Sequence, residues 1–183
     1  MRVTLTAKLG NIRIPLQVDV GVGDAVVPPP ETLDYPGLLD LPRARVRAYR
    51  PETSIAEKCE ALVTLALANS RMKDFSDIYS LALVRSFDGE TLLAALAATF
   101  SRRQTAIPAP LPLALTNEFS ADVQKRQQWE AFVRRNRSPD APPSLDQVVA
   151  KLAEFLGPVL QAVAADRRWP QTWKPGGPWS ESD

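Results

Sequence analysis

Two stretches of strict apolar–polar alternation flank Gly10-Asn11: Val3, Leu5, Ala7 and Leu9 before it, and Ile12, Ile14, Leu16, Val18 and Val20 after it. Strand side chains alternate between two faces, so this period with a two-residue break specifies a β-hairpin. Pairing Leu9 with Ile12 sets Ala7 against Ile14, Leu5 against Leu16 and Val3 against Val18. A slip of one residue would send every apolar side chain to the other face, so the register is over-determined. The polar face carries Arg13, Pro15, Gln17 and Asp19, with Arg2 across from Asp19. Pro15 has no amide proton, which places its nitrogen on an unpaired edge or at a local distortion. A lone two-stranded hairpin is marginal in water. Its apolar face therefore needs a cover, either from later helices or from strands preceding Met1.

Residues 21 to 52 are broken by Gly21, Gly23, Pro28-Pro29-Pro30, Pro36, Pro42 and Pro51, which suits an extended connection with one short strand at Ala44 to Ala48. A helical pattern follows. Thr53 or Ser54 fits an N-cap, with Glu57 completing a capping box and Ile55, Cys59, Leu62, Val63 and Ala66 as the buried stripe. Further helices are expected at about 72 to 85, 89 to 101, 121 to 136 and 145 to 165. The last opens on a second capping box, Ser144 to Gln147, and Gly157-Pro158 should kink or break it. The tail from Trp169 to Asp183 lacks regularity, but its three tryptophans predict that it lies against the body.

Lysine plus arginine number 22 against 21 acids, so no overall field selects a polyanionic partner. Between Ser101 and Arg137 the residues Arg102, Arg103, Lys125, Arg126, Arg134, Arg135 and Arg137 form a local basic excess, readable as a phosphate contact or a solvated face. There is no histidine, which removes Ser/His/Asp and Cys/His hydrolases. The single cysteine, Cys59, excludes an internal disulfide and reads as a small hydrophobe. No signal-peptide or membrane-span pattern is present, so a cytoplasmic protein with no membrane partner is expected.

Carboxylates, lysine and arginine must carry any chemistry. Asp74 and Asp77 share one helix face, with Arg71 and Lys73 beside them and Phe75, Ile78, Tyr79 and Ala82 on a separate stripe. The group reads as a site or as a helix-surface ion-pair set. Lys58 could hold phosphates or pair with Glu52, Glu57 or Glu60. Asp19 could bind a divalent ion or accept a proton, or pair with Arg2 across the hairpin. Gly21-Val-Gly23 lacks the third glycine and the helix of a dinucleotide loop.

In order along the chain, Ile14-Pro-Leu-Gln-Val-Asp19-Val-Gly-Val-Gly-Asp24, Ala56-Glu57-Lys58 and Arg71-x-Lys73-Asp74-x-x-Asp77 resemble the later motifs of the nucleotidyltransferase AbiEii/AbiGii toxin family. Tyr35-Pro-x-Leu-Leu-Asp40 and Pro175-Gly-Gly-Pro-Trp179 are similar as well. The resemblance implies an α+β protein: a β-hairpin remnant of a polymerase-β-like nucleotidyltransferase sheet (residues 1–52), a helical domain (53–168) and a Trp/Pro-rich tail (169–183). It implies a toxin of a toxin–antitoxin or phage-defence system that transfers a nucleotide from a nucleoside triphosphate to an acceptor such as tRNA, with a cognate antitoxin. Asp19, Lys58, Asp74 and Asp77 would be catalytic, with Asp19 a ligand of Mg2+, while Lys58, Arg71 and Lys73 would bind the nucleotide's phosphates. The family's opening motif, Gly-Ser followed by Asp-x-Asp or Asp-x-Glu, is absent. The resemblance thus covers the C-terminal two-thirds of such a protein, and impaired transfer is expected. The alternative is a noncatalytic helical module that binds an antitoxin or RNA.

Overall fold

The computed structural model describes residues 1–37, 42–108, 110–136 and 143–181. Leu38 to Asp40 of the quoted segment, and Arg137, lie outside them. Strands β1 (Arg2–Leu9) and β2 (Ile12–Asp19) pair antiparallel in the expected register, Leu9 to Ile12 through Arg2 to Asp19. Met1 and Val20 exchange both backbone bonds, at 2.8 and 2.7 Å. Alternation from that pair makes Thr6–Pro15 a non-hydrogen-bonded pair, so the missing proton of Pro15 faces the free edge. The hairpin's apolar face is open: Leu9 is 71 % exposed, Ile12 60 % and Leu5 53 %. Among the described residues the helices do not cover it.

A second hairpin joins β3 (Glu31–Tyr35) to β4 (Ala44–Ala48), so the expected single strand has a partner. Helix α1 (Pro51–Leu65) follows. It starts ahead of the expected cap because Pro51 takes the first helical position, where a missing N–H costs nothing. Arg50 is the N-cap and makes no side-chain capping bond, which overturns the Ser54–Glu57 capping box. The Thr53 hydroxyl instead donates to the Val27 carbonyl at 2.9 Å.

Helix α2 (Met72–Val84) and the two-residue strand β5 (Phe87–Asp88) lead into α3 (Gly89–Arg103), where Asp88 caps the Thr91 amide. A short helix α4 (Asn117–Ala121) precedes α5 (Val123–Asn136), which fills the expected 121 to 136 span. Helix α6 (Leu145–Ala164) carries the complete Ser144–Gln147 capping box. It continues through Pro158, contrary to the expected break. Burial on both sides of Gly157-Pro158 holds the helix together: Phe155, Leu156 and Val159 are all 0 % exposed. By length and composition α6 could cross a membrane; in this fold it is the core helix, packed against α2, α3 and α4.

The tail does form elements. β6 (Gln171–Trp173) and β7 (Trp179–Glu181) complete a sheet in the order β5-β6-β7. Trp173 is fully buried against Phe155, and its indole N–H donates to the Ala82 carbonyl at 2.8 Å. Gly89 permits this docking, since a Cβ there would strike the Trp169 and Gln171 carbonyls. Cys59 is buried as expected, and its desolvated thiol is pushed up to about 12.

Candidate functional site

Helix geometry puts Ser54, Glu57 and Lys58 on one face of α1, opposite Ile55, Cys59 and Leu62, which enter the core. Packing of α1 against α2 and α3 turns that polar face toward Arg71 and Asp74 and toward the last residue of α3. Ser54, Glu57, Lys58, Arg71, Asp74 and Arg103 together line a pocket of about 120 Å³.

The Lys58 ammonium lies between two carboxylates, 3.1 Å from Asp74 Oδ1 and 2.9 Å from Asp77 Oδ2. Burial pulls its pKa down, but hydrogen bonds to Asp77 and Asp74 outweigh this and hold it above the ordinary lysine value. Asp77 also accepts from Lys73 at 2.6 Å. Burial raises its carboxyl, and the bonds from Lys73 and Lys58 bring it below the usual range. Asp74 is buried at the first turn of α2, where the helix dipole favours an anion. Arg71 Nε lies 3.1 Å from Asp74 Oδ2, yet that oxygen accepts no hydrogen bond. The approach is close but out of line, so the pairing is electrostatic. Asn69 sets the start of α2, its side-chain oxygen accepting from the Arg71 amide at 2.8 Å. The buried Lys125 donates to the Asn69 carbonyl at 2.9 Å.

Arg103 closes the pocket from the far side. Its Nη1 donates to Glu60 at 2.6 Å, and Glu60 also accepts from Thr64 at 2.7 Å and Thr105 at 2.6 Å. Burial raises the Glu60 carboxyl, and the bonds from Thr105, Arg103 and Thr64 more than reverse it. Arg103 Nη2 is 3.9 Å from Asp24 Oδ1, on a loop that Arg102 pins by donating to the Gly23 carbonyl at 2.5 Å. Glu57 makes no hydrogen bond or ion pair among the described residues, and burial and the nearby Asp24 charge raise its carboxyl.

The structure therefore gathers Lys58, Arg71, Lys73, Asp74 and Asp77 into one linked group. Asp19 stands apart from these contacts. It accepts from Arg2 at 2.7 Å and from Gln17 at 3.0 Å, and the Arg2 guanidinium lowers its carboxyl. Arg103, Glu60 and Glu57 are the pocket-side residues that the sequence did not single out as candidate site residues. Arg103 had only a basic-run signal, because its place in the pocket comes from helix packing.

The donor set does not fit the magnesium that the resemblance implies. Among the described residues no three His, Cys, Asp or Glu side chains gather into a group able to hold a metal ion. Asp74 and Asp77 already enclose the Lys58 ammonium.

The family model described as nucleotidyl transferase AbiEii toxin, type IV TA system, matches residues 1–151. No characterised protein and no solved structure matches the chain.

Proposed function

The chain belongs to the nucleotidyl transferase AbiEii toxin family, and on that premise we propose that its helical pocket receives the triphosphate of an incoming nucleotide. The observation that carries this is the convergence of three cations, Lys58, Arg71 and Arg103, on one small polar pocket. Arginine forks and a lysine point charge suit phosphate oxygens. Positive groups held in place before reaction can stabilise charge that develops on phosphates during transfer. Asp74 and Asp77 hold Lys58 at the pocket, Glu60 holds Arg103, and Lys73 holds Asp77. Transfer would join the acceptor hydroxyl oxygen to the α-phosphorus and release pyrophosphate, with tRNA as the acceptor suggested by the family resemblance. Asp19 belongs to the transfer step in this proposal, supported by its place in the motif Ile14 to Asp24, and not to nucleotide binding.

Transfer by this chain is expected to be slow, because no Gly-Ser pair occurs in it and the described carboxylates form no metal cluster. The test is labelled-nucleotide transfer to tRNA with magnesium, run beside calorimetric titration with each nucleoside triphosphate. Lys58→Ala should abolish triphosphate binding, and wild-type affinity in that variant would overturn the proposal. The self-contained ion pairing of Lys58, Asp74 and Asp77 favours a second reading, a noncatalytic module that binds an antitoxin or RNA. That reading predicts that Lys58→Ala and Asp74→Ala leave partner binding intact.

A further inference from the structure

The segment Arg43-Ala-Arg-Val-Arg-Ala-Tyr49 places an arginine at every second position of an extended ribbon. In the β3–β4 register Arg45 sits across from Asp34 and Arg47 across from Thr32, while Val46 faces Leu33 and Ala48 faces Glu31. Burial marks the centre of one face, although Glu31, Tyr35 and Ala44 on it are exposed. Leu33, Val46 and Ala48 are half-buried, whereas Arg43, Arg45, Arg47 and Tyr49 are all exposed. The outward face thus carries Arg45 and Arg47, two residues and so roughly 6.6 Å apart along the backbone, with the exposed Arg43 just before β4 and Tyr49, 48 % exposed, just after it. One acid answers it: Asp34 lies 3.8 Å from an Arg45 side chain that is 79 % exposed. Arg43 and Arg47 make no ion pair among the described residues. The row therefore has a single, loosely held acidic partner among the described residues, and its positive charge is largely uncompensated.

We propose that this face docks the acceptor RNA, whose phosphate backbone runs along Arg43, Arg45 and Arg47 while one base stacks on Tyr49. Charge complementarity selects a polyanion, and arginine engages phosphate oxygens in pairs. Tyr49 selects nucleic acid over an acidic protein, since a nucleotide strand supplies both the charges and a flat ring to stack. The ribbon is joined to the helix that bears Lys58. β4 passes through Tyr49 and Arg50 directly into α1, and Lys58 follows Pro51 by about 10 Å of helix. The docking rests on the transferase reading only for the statement that the RNA is the acceptor.

Binding is measured with the full chain by fluorescence anisotropy, using a labelled RNA hairpin with an unpaired 3′ end, over a series of salt concentrations. Arg45→Ala/Arg47→Ala should weaken binding about tenfold or more and flatten the log–log salt slope by about 1.4, two phosphate contacts at about 0.7 each. Tyr49→Ala should weaken binding about fivefold or more at every salt concentration and leave the slope unchanged. These side chains are exposed, so the variants should melt with the wild type. The docking is overturned if wild-type protein does not bind the RNA, or if the ribbon variants bind like wild type. It is also overturned if the loss follows Arg134→Ala/Arg135→Ala on α5 instead, or if the ribbon variants lose a protein antitoxin while keeping RNA. Labelled-nucleotide transfer separates the two claims. RNA binding lost in the ribbon variants, with no transfer by any form of the protein, keeps the docking and sinks the transferase. Transfer to RNA with an unchanged KM in those variants does the reverse.

Discussion

The β1–β2 hairpin and the helical body use equally regular apolar patterns with opposite results. Along the hairpin Leu5, Leu9, Ile12, Ile14, Leu16 and Val18 all remain exposed, while α6 removes Val148, Leu152, Phe155, Leu156 and Val159 from water entirely. The ion pairs follow the same division. Arg2 and Asp19 bond in open solvent, with side chains 63 % and 57 % exposed, whereas the Asp74 side chain that holds Lys58 is 5 % exposed. Periodicity sets local conformation and register in both regions, and stability comes only where a second surface closes over the pattern. The same closure separates a solvent-screened ion pair from a charge cluster held in place by burial.

The sharpest contrast lies in the apolar residues. Phe155→Ala should lower the unfolding free energy by about 3 to 5 kcal/mol through lost transfer energy and a cavity. Its ring stands against Phe87, Trp173 and Trp179. Leu5→Ala should change it by no more than about 0.5 kcal/mol, as at most exposed positions. Urea unfolding measures both. A large loss from Leu5→Ala would show that the hairpin face is covered in solution and would erase the contrast.

Among the charged groups, Asp74→Ala should cost about 1 to 3 kcal/mol, because it leaves Lys58 and Arg71 short of a buried partner while Asp77 still holds Lys58. Urea unfolding again measures it. An unchanged midpoint would mean that the cluster is no better consolidated than the hairpin pair.

What the sequence reveals depends on how far apart the interacting residues lie. The hairpin register was legible because alternation and turn length are local, and so was the α6 cap, because Ser144 and Gln147 are three residues apart. Arg71, Lys73, Asp74 and Asp77 share one stretch of helix, so their grouping could be read as well. Arg103 could not: it reaches Glu60 across 43 residues, through the packing of α1 on α3. Likewise β6 found its partner in a two-residue strand whose sequence carries no strand signal. The break at Pro158 did not occur for a related reason, since a local rule about a missing amide proton was outweighed by burial along the whole helix.

The pH dependence should fall on the helical cluster too. Asp77 and Glu60 have folded-state pKa values below their ordinary values of 3.8 and 4.5. Each therefore contributes stability that is present above its unfolded value and is lost as pH falls through its folded value. Glu57 is shifted the opposite way from the same 4.5, so it favours the folded state at acid pH and that contribution is lost as pH rises. The urea midpoint is expected to stay level near neutrality and to fall once pH drops below about 4.5. Asp77→Asn and Glu60→Gln should each make that fall shallower, and a fall of the same size in both variants would place the acid sensitivity elsewhere.

The smallest effect on stability is expected at Asp19, where the two regions can be told apart by function. Its carboxylate is exposed to solvent, and its partners are the exposed side chains of Arg2 and Gln17. Such pairs are screened and lose side-chain entropy on forming, so Asp19→Asn should leave the urea midpoint unchanged. Triphosphate affinity should also be unchanged, because Asp19 does not line the helical pocket. Residual nucleotide transfer should nonetheless decline, since the proposal assigns Asp19 to that step alone. If transfer also stays at the wild-type level, the hairpin carboxylate is an ordinary surface ion pair, and the chemistry rests with the helical residues.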